Sequence, residues 1–253
     1  MAVSDLHRRI ALTALAVAAR YGFALGGGNA LLAHGVTSRQ TQDVDLFTNQ
    51  ERGVEAAAED VQEALRAAGF TAQQHGETSG LDDLFPDMGD GLIEWNVTDH
   101  GGEQTVLQLA YFDRVHQPVS TDIGPVLSLE DVAGGKVCAL ASRVEPRDYA
   151  DTGRLLERYT PAHLIGFARS LDPGLDARDF AEAGQRLDQL ADSRFTRYGL
   201  TARDIANLRK RFTTWPRTTQ AAAKLLTADH PHEEQHFGAQ PAGSARDDPE
   251  AGD

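Results

Sequence analysis

Residues 25–47 carry the feature that most constrains this chain. The segment combines an apolar residue, three consecutive glycines, a helix-forming run, a polar loop and an Asp-Val-Asp-Leu-Phe alternation, and it reads LGGGNALLAHGVTSRQTQDVDLF. This order predicts a strand, a glycine turn, a short helix, a loop and a second strand. Because side chains alternate along a strand, we expect Asp43 and Asp45 on one face and Val44 and Leu46 on the other.

Two carboxylates on one face of a strand indicate a cation site, because they repel each other unless a positive charge lies between them. Magnesium in particular is held by one or two carboxylates together with substrate phosphates. Upstream, Gly27 and Gly28 would let the backbone approach a ligand, and the helix N-terminus that follows would offer N–H groups to an anion. A phosphate cradle before a metal clamp indicates chemistry on a nucleoside triphosphate.

Simpler interpretations of the same residues remain open. An isolated Asp-x-Asp is commonly a solvated turn, and an isolated run of glycines is commonly a loop. A Rossmann dinucleotide site is a poorer match, since its fingerprint would need a third glycine where Leu31 stands.

Two segments together resemble a known family, the AbiEii/AbiGii nucleotidyltransferase toxins, which include the MenT-type toxins and belong to the DNA polymerase β-like superfamily. The first is Gly27-Gly28-x-Ala30-Leu31 followed by Arg39-x-Thr41-x-Asp43-Val44-Asp45-Leu46-Phe47. The second is Lys136-x-x-Ala139-Leu140-x-x-Arg143 followed by Arg147-Asp148-x-x-Asp151. The resemblance covers roughly residues 21–158.

The resemblance implies a fold, a reaction and a set of site residues. The fold would be α+β, with a small mixed-sheet nucleotidyltransferase domain followed by a helical domain. An NTP would donate its nucleoside monophosphate to RNA, the 3′ end of tRNA by analogy with MenT-type toxins, which would block translation. A cognate antitoxin would be the protein partner.

Roles carry over residue by residue. Asp43 and Asp45 would hold Mg²⁺ and act in catalysis together with Lys136 and Asp151, the latter orienting Lys136 or serving the acceptor hydroxyl. The nucleotide-binding residues would be Gly27, Gly28, Arg39, Thr41 and Arg143. On a helix, Lys136, Leu140 and Arg143 would share one face and present two cations to a triphosphate.

One position departs from the superfamily. Its members usually add a third carboxylate from a neighbouring strand, and here that position holds Gln108. An amide oxygen can ligate magnesium, but it brings no charge and cannot act as a general base. Glu94 and Asp113 are the alternatives for the missing carboxylate.

A basic stretch between Ser193 and Arg217 is the candidate RNA contact. It contains seven cations and one acid, with Phe195, Tyr198, Phe212 and Trp215 interleaved. Arginine and aromatic side chains suit phosphates and unpaired bases. The candidate contacts are Arg194, Arg197, Arg209, Lys210, Arg211 and Arg217. The alternative is an amphipathic helix with its aromatic residues in the core.

Composition limits the remaining choices. The net charge of −14 argues against nucleic acid as a partner unless a local patch provides the contact. The chain has one cysteine, Cys138, so it can form no intrachain disulfide, which suits a reducing cytoplasm. No apolar run reaches the length of a membrane span, and the pattern around residues 11–19 does not suit a secretory signal.

Periodicity and turn residues divide the chain into a part with strands over 1–127, a helical domain over 128–227 and a disordered acidic tail over 228–253. The resemblance implies that the part over 1–127 is the nucleotidyltransferase domain. Predicted helices cover 4–20, 51–68 and 129–143, with further helices starting at Pro146 and Pro161 and lying near 177–190, 202–213 and 217–227. Strands are predicted over 21–25 and 70–74 and as a hairpin of 92–98 and 105–112, after a long loop over 75–91. Ser128 and Asp131 resemble a capping box.

Two other functions remain open. One keeps the chemistry but uses a small-molecule acceptor, as in antibiotic adenylyltransferases. The other is a degenerate nucleotidyltransferase fold that only binds a nucleotide or a protein, and Gln108 is its best support.

Overall fold

The computed structural model describes residues 3–74, 91–143 and 145–227. The loop predicted over 75–91 lies outside the described residues except for Gly91. The tail predicted to be disordered, 228–253, lies outside them entirely.

The described residues form one mixed sheet of seven strands in the order β3-β4-β5-β2-β1-β7-β6. The strands are β1 (Ala24–Leu25), β2 (Asp43–Thr48), β3 (Thr71–Gln74), β4 (Leu92–Thr98), β5 (Gln104–Tyr111), β6 (Val119–Thr121) and β7 (Gly124–Val126). The central pair β2 and β5 is parallel, as is the pair β1 and β7, and the other neighbours are antiparallel. The predicted hairpin of 92–98 and 105–112 is present.

Ten α-helices accompany this sheet in the described part of the chain, and seven of them follow the last strand. They are α1 (Asp5–Ala18), α2 (Gly27–Ala33), α3 (Gly53–Ala67), α4 (Leu129–Ser142), α5 (Pro146–Leu155), α6 (Pro161–Leu171), α7 (Ala177–Gln189), α8 (Ser193–Thr196), α9 (Ala202–Arg211) and α10 (Thr219–Leu226). The predicted α+β class, with a mixed sheet before a helical half, is confirmed. The short helix α8 was not predicted.

The alternation along the central strands separates the two faces of the sheet. Val44, Leu46, Leu107 and Leu109 are fully buried on the face that packs near α1 and α3. The side chains between them, including Asp45 and its neighbour Gln108 on β5, lie on the opposite face. One face of the sheet therefore builds the core, and the other is left for a site.

Most predicted helix ends are correct. Pro146 and Pro161 each open a helix, and Gly69 ends α3 with a φ of +86°. Ser128 caps α4 by accepting a hydrogen bond from the backbone N–H of Asp131 at 3.0 Å. The reciprocal half of the predicted capping box is absent, because the Asp131 carboxylate accepts from the backbone N–H groups of Val115 and His116 instead.

Two positions show how the helices pack. On α1, Leu15 is buried, whereas Leu12 is exposed. At Gly134 a β-carbon would lie 2.7 Å from the backbone carbonyl oxygen of Phe167, so this glycine allows α4 to pack closely against α6. The group that lies close to Gly134 is therefore a helix and not a ligand.

Buried side chains from the sheet and from the later helices belong to one continuous hydrophobic cluster. The division at residues 127 and 128 into two domains stays a prediction. Among the helices formed by the described residues, none combines the length and the apolar character that crossing a membrane requires.

Candidate active site

A cleft of about 1000 Å³ lies between the open face of the sheet and the helical half of the molecule. Among the described residues, seven cationic side chains and four carboxylates line it. The cations are Arg39, Lys136, Arg143, Arg147, Arg154, Arg197 and Arg211, and the acids are Asp43, Asp45, Asp131 and Asp204. The cleft is therefore rich in positive charge although the whole chain carries −14.

Asp43 and Asp45 occupy the sheet wall of this cleft, on the predicted common face of β2. Asp45 is only 8% exposed, and no described residue donates a hydrogen bond or forms an ion pair with its carboxylate. Burial, and then the charge of Asp43, raise the pKa of Asp45 to about 6. A buried carboxylate next to a second one, without a cation of its own, is a natural place for a divalent ion.

Gly27 and Gly28, the first two residues of α2, are required because other side chains lie directly against them. A β-carbon at Gly27, where φ is +57°, would lie 1.7 Å from Oδ2 of Asp45. A β-carbon at Gly28 would lie 2.4 Å from the Thr41 methyl group. Both glycines line the cleft, and both let β2 and the loop before it lie directly against the first turn of α2. Their predicted contact with phosphate stays a prediction.

Thr41 belongs to a polar network that supports the loop before β2. Its hydroxyl donates to Oδ1 of Asn29 at 2.9 Å and lies 3.0 Å from Nδ1 of His7. Asn29 Nδ2 donates to the backbone oxygen of Asp43 at 2.8 Å. Burial lowers the pKa of His7. His7 and Asn29 were missed from sequence, although Asn29 directly follows the triple glycine.

Asp151 joins the two cations that the resemblance singled out. Its carboxylate is fully buried and accepts two hydrogen bonds from Arg39, from Nε and Nη2, each at 2.6 Å, while Lys136 Nζ lies 2.9 Å away. Burial alone would raise the pKa of Asp151, but the charges and hydrogen bonds of Lys136 and Arg39 hold it below its ordinary value. Asp151 thus stays ionised and fixes both cations at the wall of the cleft.

A second buried carboxylate holds the next cation along α4. Asp148, also fully buried, accepts from Nε of Arg143 at 3.0 Å and from Nη2 at 2.8 Å. The predicted common face of Lys136, Leu140 and Arg143 is only partly correct, because Leu140 points into the core. Ala139 takes its place between the two cations on the cleft side.

Of the three candidates for a third oxygen ligand, only Gln108 lines the cleft among the described residues. It lies directly beside Asp45 in the parallel pairing of β2 and β5. Asp113 is exposed and accepts from the Tyr111 hydroxyl at 3.1 Å, so it does not replace the missing carboxylate. Glu94 lies one strand further out and accepts a hydrogen bond from the Gln108 amide.

The profile of the family described as nucleotidyl transferase AbiEii toxin, type IV toxin–antitoxin system, matches residues 10–239. The match spans most of the chain and includes every residue of both motifs. The chain belongs to the AbiEii family. It is therefore a nucleotidyltransferase of the toxin class found in type IV toxin–antitoxin systems. A comparison with curated proteins finds no match.

Solved structures share the fold of this AbiEii protein at low sequence identity. JHP933 of Helicobacter pylori is 15% identical with a TM-score of 0.52, covering 89% of this chain and 95% of that one. A Helicobacter pylori protein described as a nucleotidyltransferase is 14% identical with a TM-score of 0.54, covering 90% and 96%. MenT4, a nucleotidyltransferase toxin of Mycobacterium tuberculosis, is 16% identical with a TM-score of 0.52, covering 87% of both chains.

The basic stretch of this AbiEii protein differs from its prediction. Phe195, Phe212 and Trp215 are buried in the core, so they cannot stack on bases. Tyr198 is half-buried and lines the cleft. The amphipathic-helix alternative is thus correct for most of the aromatic residues.

The six candidate cations of that stretch fall into three groups. Arg209 donates to the backbone oxygens of Leu187 and Leu190, and Arg217 donates to that of Gly184, so both bind the protein's own backbone. Arg211 pairs with Glu157 at the edge of the cleft, and Arg197 lines it. Arg194 and Lys210 are exposed.

A divalent cation fits the sheet wall on its donor chemistry. The described residues include no group of three or more His, Cys, Asp or Glu side chains that could hold a metal ion. The donors present are two carboxylates and an amide oxygen, which leaves room for oxygens of water or of substrate. Hard divalent ions such as magnesium bind in this way at phosphate-transfer sites.

Proposed function

We propose that this protein transfers a nucleoside monophosphate from an NTP to RNA, with the 3′ end of tRNA as the acceptor, and that Mg²⁺ is its metal. The observation that carries the proposal is the opposition of two walls in one cleft. The carboxylates of Asp43 and Asp45, which form no direct ion pair with any described residue, face cations that buried carboxylates hold in place.

The helical wall would bind the triphosphate. Lys136 and Arg39 are 14% and 16% exposed and are held by Asp151, so little side-chain entropy remains to be lost when a phosphate binds. Arg143, held by Asp148, extends the same wall. Because Asp151 is fully buried and paired twice, it orients the two cations rather than serving the acceptor hydroxyl.

The sheet wall would hold the metal. Asp43 and Asp45 would supply the carboxylate oxygens, and Gly27 lets the start of α2 come close to Asp45. A divalent cation bound there would offset the charge that develops on the phosphate oxygens.

The reaction itself needs few groups from the protein. The acceptor hydroxyl oxygen forms a bond to the α-phosphorus, the bond from that phosphorus to the bridging oxygen breaks, and pyrophosphate leaves while the hydroxyl proton passes to water. Gln108 and Asp151 cannot take that proton, the first because it is an amide and the second because it is ion-paired. Positioning and charge stabilisation would therefore provide most of the rate enhancement.

The ends of the cleft suit the two substrates. Phe47 and Phe112 line one end with their ring centroids 5.3 Å apart, which suits the nucleobase of the donor. Arg197, Tyr198 and Arg211 line the cleft from the helical half, which suits the phosphates and the terminal base of an RNA. Modification of a tRNA 3′ end in the cytoplasm would block aminoacylation and hence translation, and a cognate antitoxin would restrain it.

Labelled NTPs test the proposal directly. Each of the four is incubated with the protein, Mg²⁺ and total tRNA, and label is followed on RNA, on small molecules and on the protein. We expect labelled tRNA, its label removed by trimming of the 3′ end. Label on a small hydroxyl compound alone would favour the antibiotic-type alternative.

The matched variants are Asp43→Asn in the cleft and Asp113→Asn on the exposed strand end. Asp43→Asn should abolish labelling, and Asp113→Asn should not change it. NTP binding without transfer to any acceptor by the wild-type protein would support the degenerate alternative, for which Gln108 is the observation in favour.

A further inference from the structure

Three polar side chains form a row across the open face of the sheet. Glu94 on β4 lies opposite Gln108 on β5, and Gln108 lies opposite Asp45 on β2. Residues paired in this way on neighbouring strands project to the same face, with their β-carbons about 5 Å apart. The row therefore runs from Glu94 on β4 to Asp45, the proposed metal ligand on β2.

The hydrogen bond within this row orients the amide. The Gln108 Nε2 group donates to Oε1 of Glu94. The amide nitrogen is a donor only and the amide oxygen an acceptor only, so this bond places the nitrogen end of the amide toward Glu94. The amide oxygen and nitrogen diverge from the same carbon, so the oxygen takes no part in this bond, and Gln108 stands directly opposite Asp45 on β2.

We propose that Gln108 is a third oxygen ligand of the divalent cation through its side-chain carbonyl, and that Glu94 is a positioning residue that holds the amide in this orientation. The inference rests on the proposed function, because it assumes that Asp43 and Asp45 bind the metal. It assigns Gln108 a role that replaces the carboxylate usual in the superfamily rather than marking a lost site.

Electrostatics explains why an amide suits this position. A carboxylate at 108 would stand between Glu94 and Asp45, and it would have a like charge on each side. Like charges directly opposite each other on neighbouring strands are destabilising. The amide instead donates to one neighbour and offers an oxygen beside the other.

A neutral ligand also has a consequence for the order of binding. Two charged ligands and one neutral ligand bind a divalent ion less tightly than three carboxylates would. The remaining positions would then be filled by oxygens of the triphosphate, so the metal and the NTP would bind together. A weak affinity for the free metal that rises strongly when a non-hydrolysable NTP analogue is added is the expected result.

Binding of Mn²⁺ to the nucleotide-free protein tests the assignment without using activity. Free Mn²⁺ is measured by its electron paramagnetic resonance signal during titration of the full chain. Gln108→Leu removes the oxygen and should weaken binding about tenfold or more. Glu94→Gln, which has the same shape, should weaken it by a similar factor, because residues that orient metal ligands typically contribute 10–100-fold to affinity.

An exchange variant distinguishes a positioning role from a structural one. The double variant Glu94→Gln with Gln108→Glu places the carboxylate beside Asp45 and an amide donor behind it. This double variant should bind Mn²⁺ more tightly than the wild-type protein, although each change alone disturbs the arrangement of Glu94, Gln108 and Asp45. Gln104→Leu, at the exposed start of the same strand, is the matched control and should leave Mn²⁺ binding unchanged.

The outcomes separate this inference from the proposed function. If Asp43→Asn abolishes Mn²⁺ binding while Gln108→Leu and Glu94→Gln keep wild-type affinity, the metal site stands and the third ligand is refuted. Loss of binding in Gln108→Leu together with unchanged binding in Glu94→Gln refutes the positioning role. A wild-type protein that binds no Mn²⁺, with or without the NTP analogue, overturns both.

Discussion

The two walls of the cleft treat buried carboxylates in opposite ways. On the helical wall, Asp151 is fully buried, and Arg39 and Lys136 hold its pKa below the ordinary value although burial acts in the other direction. On the sheet wall, Asp45 is almost as buried, and burial together with Asp43 raises its pKa to about 6. One carboxylate is paired within the chain, and no described residue pairs with the other.

This difference indicates what each wall is built to bind. A buried carboxylate with two cations is a support, because it fixes those cations where an anion can meet them. A buried carboxylate beside a like charge costs free energy until a cation from outside arrives. Under the proposed function, the helical wall would receive phosphate and the sheet wall would receive metal. Substitutions on the two walls should then affect stability with opposite signs.

The largest expected effect is on the helical wall. Asp151→Asn leaves Arg39 and Lys136 close together without their shared negative charge. Removing one partner of a buried ion pair typically costs about 3–5 kcal/mol, so the free energy of unfolding should fall by that order. Urea denaturation followed by circular dichroism measures it.

The matched control for this change is Glu157→Gln, which also removes a carboxylate shared by two cations. Glu157 pairs with Arg154 and Arg211, but its side chain is 42% exposed. Exposed pairs contribute about 0–1 kcal/mol, so the loss should be small. Equal losses in the two variants would contradict the distinction between a buried support and a surface pair.

The sheet wall should respond in the opposite direction. Asp45→Asn removes a buried charge for which burial and the repulsion of Asp43 outweigh the attraction of the cations across the cleft, so the variant should be more stable than the wild-type protein at pH 8. The folded-state pKa of about 6 lies above the ordinary 3.8. The folded protein therefore holds this proton more tightly than the unfolded chain does, and the wild-type protein loses stability as the pH rises from about 4 through 6.

The size of this gain follows from the same pKa values. A difference from 3.8 to about 6 corresponds to about 3 kcal/mol at pH 8, and the two proteins should converge near pH 4.

Added Mn²⁺ should stabilise the wild-type protein more than the variant. Asp113→Asn, at an exposed carboxylate, should change stability by less than about 0.5 kcal/mol. A less stable Asp45→Asn variant at pH 8 would show that Asp45 has a compensating partner.

Much of the fold could be predicted because its signals are local. Alternation identified β2 and its two faces, and the prolines at 146 and 161 marked helix starts. The misses concern tertiary contacts. Asp131 looked like a partner for the Ser128 cap, but the backbone of the Val115 and His116 loop takes its carboxylate.

The candidate site divides in the same way. The motif residues were predictable, yet their pairing was not: Arg39 and Asp151 are 112 positions apart in sequence, and only the fold shows that they form two hydrogen bonds. The aromatic residues near Arg209 looked available for bases, because composition does not distinguish a core side from a solvent side on short helices. His7 carried no motif, and its contact with Thr41 depends on how α1 packs.

Two adjacent residues of the basic stretch, Arg209 and Lys210, allow a similar comparison between a side chain paired within the protein and an exposed one. Arg209 donates to the backbone oxygens of Leu187 and Leu190 and to Asp192 Oδ1 at 2.7–2.8 Å. Arg209→Gln should therefore lower the free energy of unfolding by about 1–2 kcal/mol. RNA affinity, measured on the folded variant, should not change. A specific loss of RNA binding without loss of stability would reverse this assignment.

Lys210→Gln should give the smallest effect on stability and a visible one on RNA binding. Lys210 is exposed, so its loss should change the free energy of unfolding by no more than about 0.5 kcal/mol. If Lys210 contacts a phosphate, the variant releases one counterion fewer than the wild-type protein when it binds RNA. The slope of log affinity against log salt should then fall by about 0.7–0.9. The weakening should be similar for RNAs of different sequence, because a phosphate contact does not read bases.

Filter binding of tRNA across a salt series measures the slope, with Lys224→Gln on α10 as the matched control. An unchanged slope for Lys210→Gln would leave Arg197, Tyr198 and Arg211, within the cleft, as the residues of the helical half that meet the acceptor.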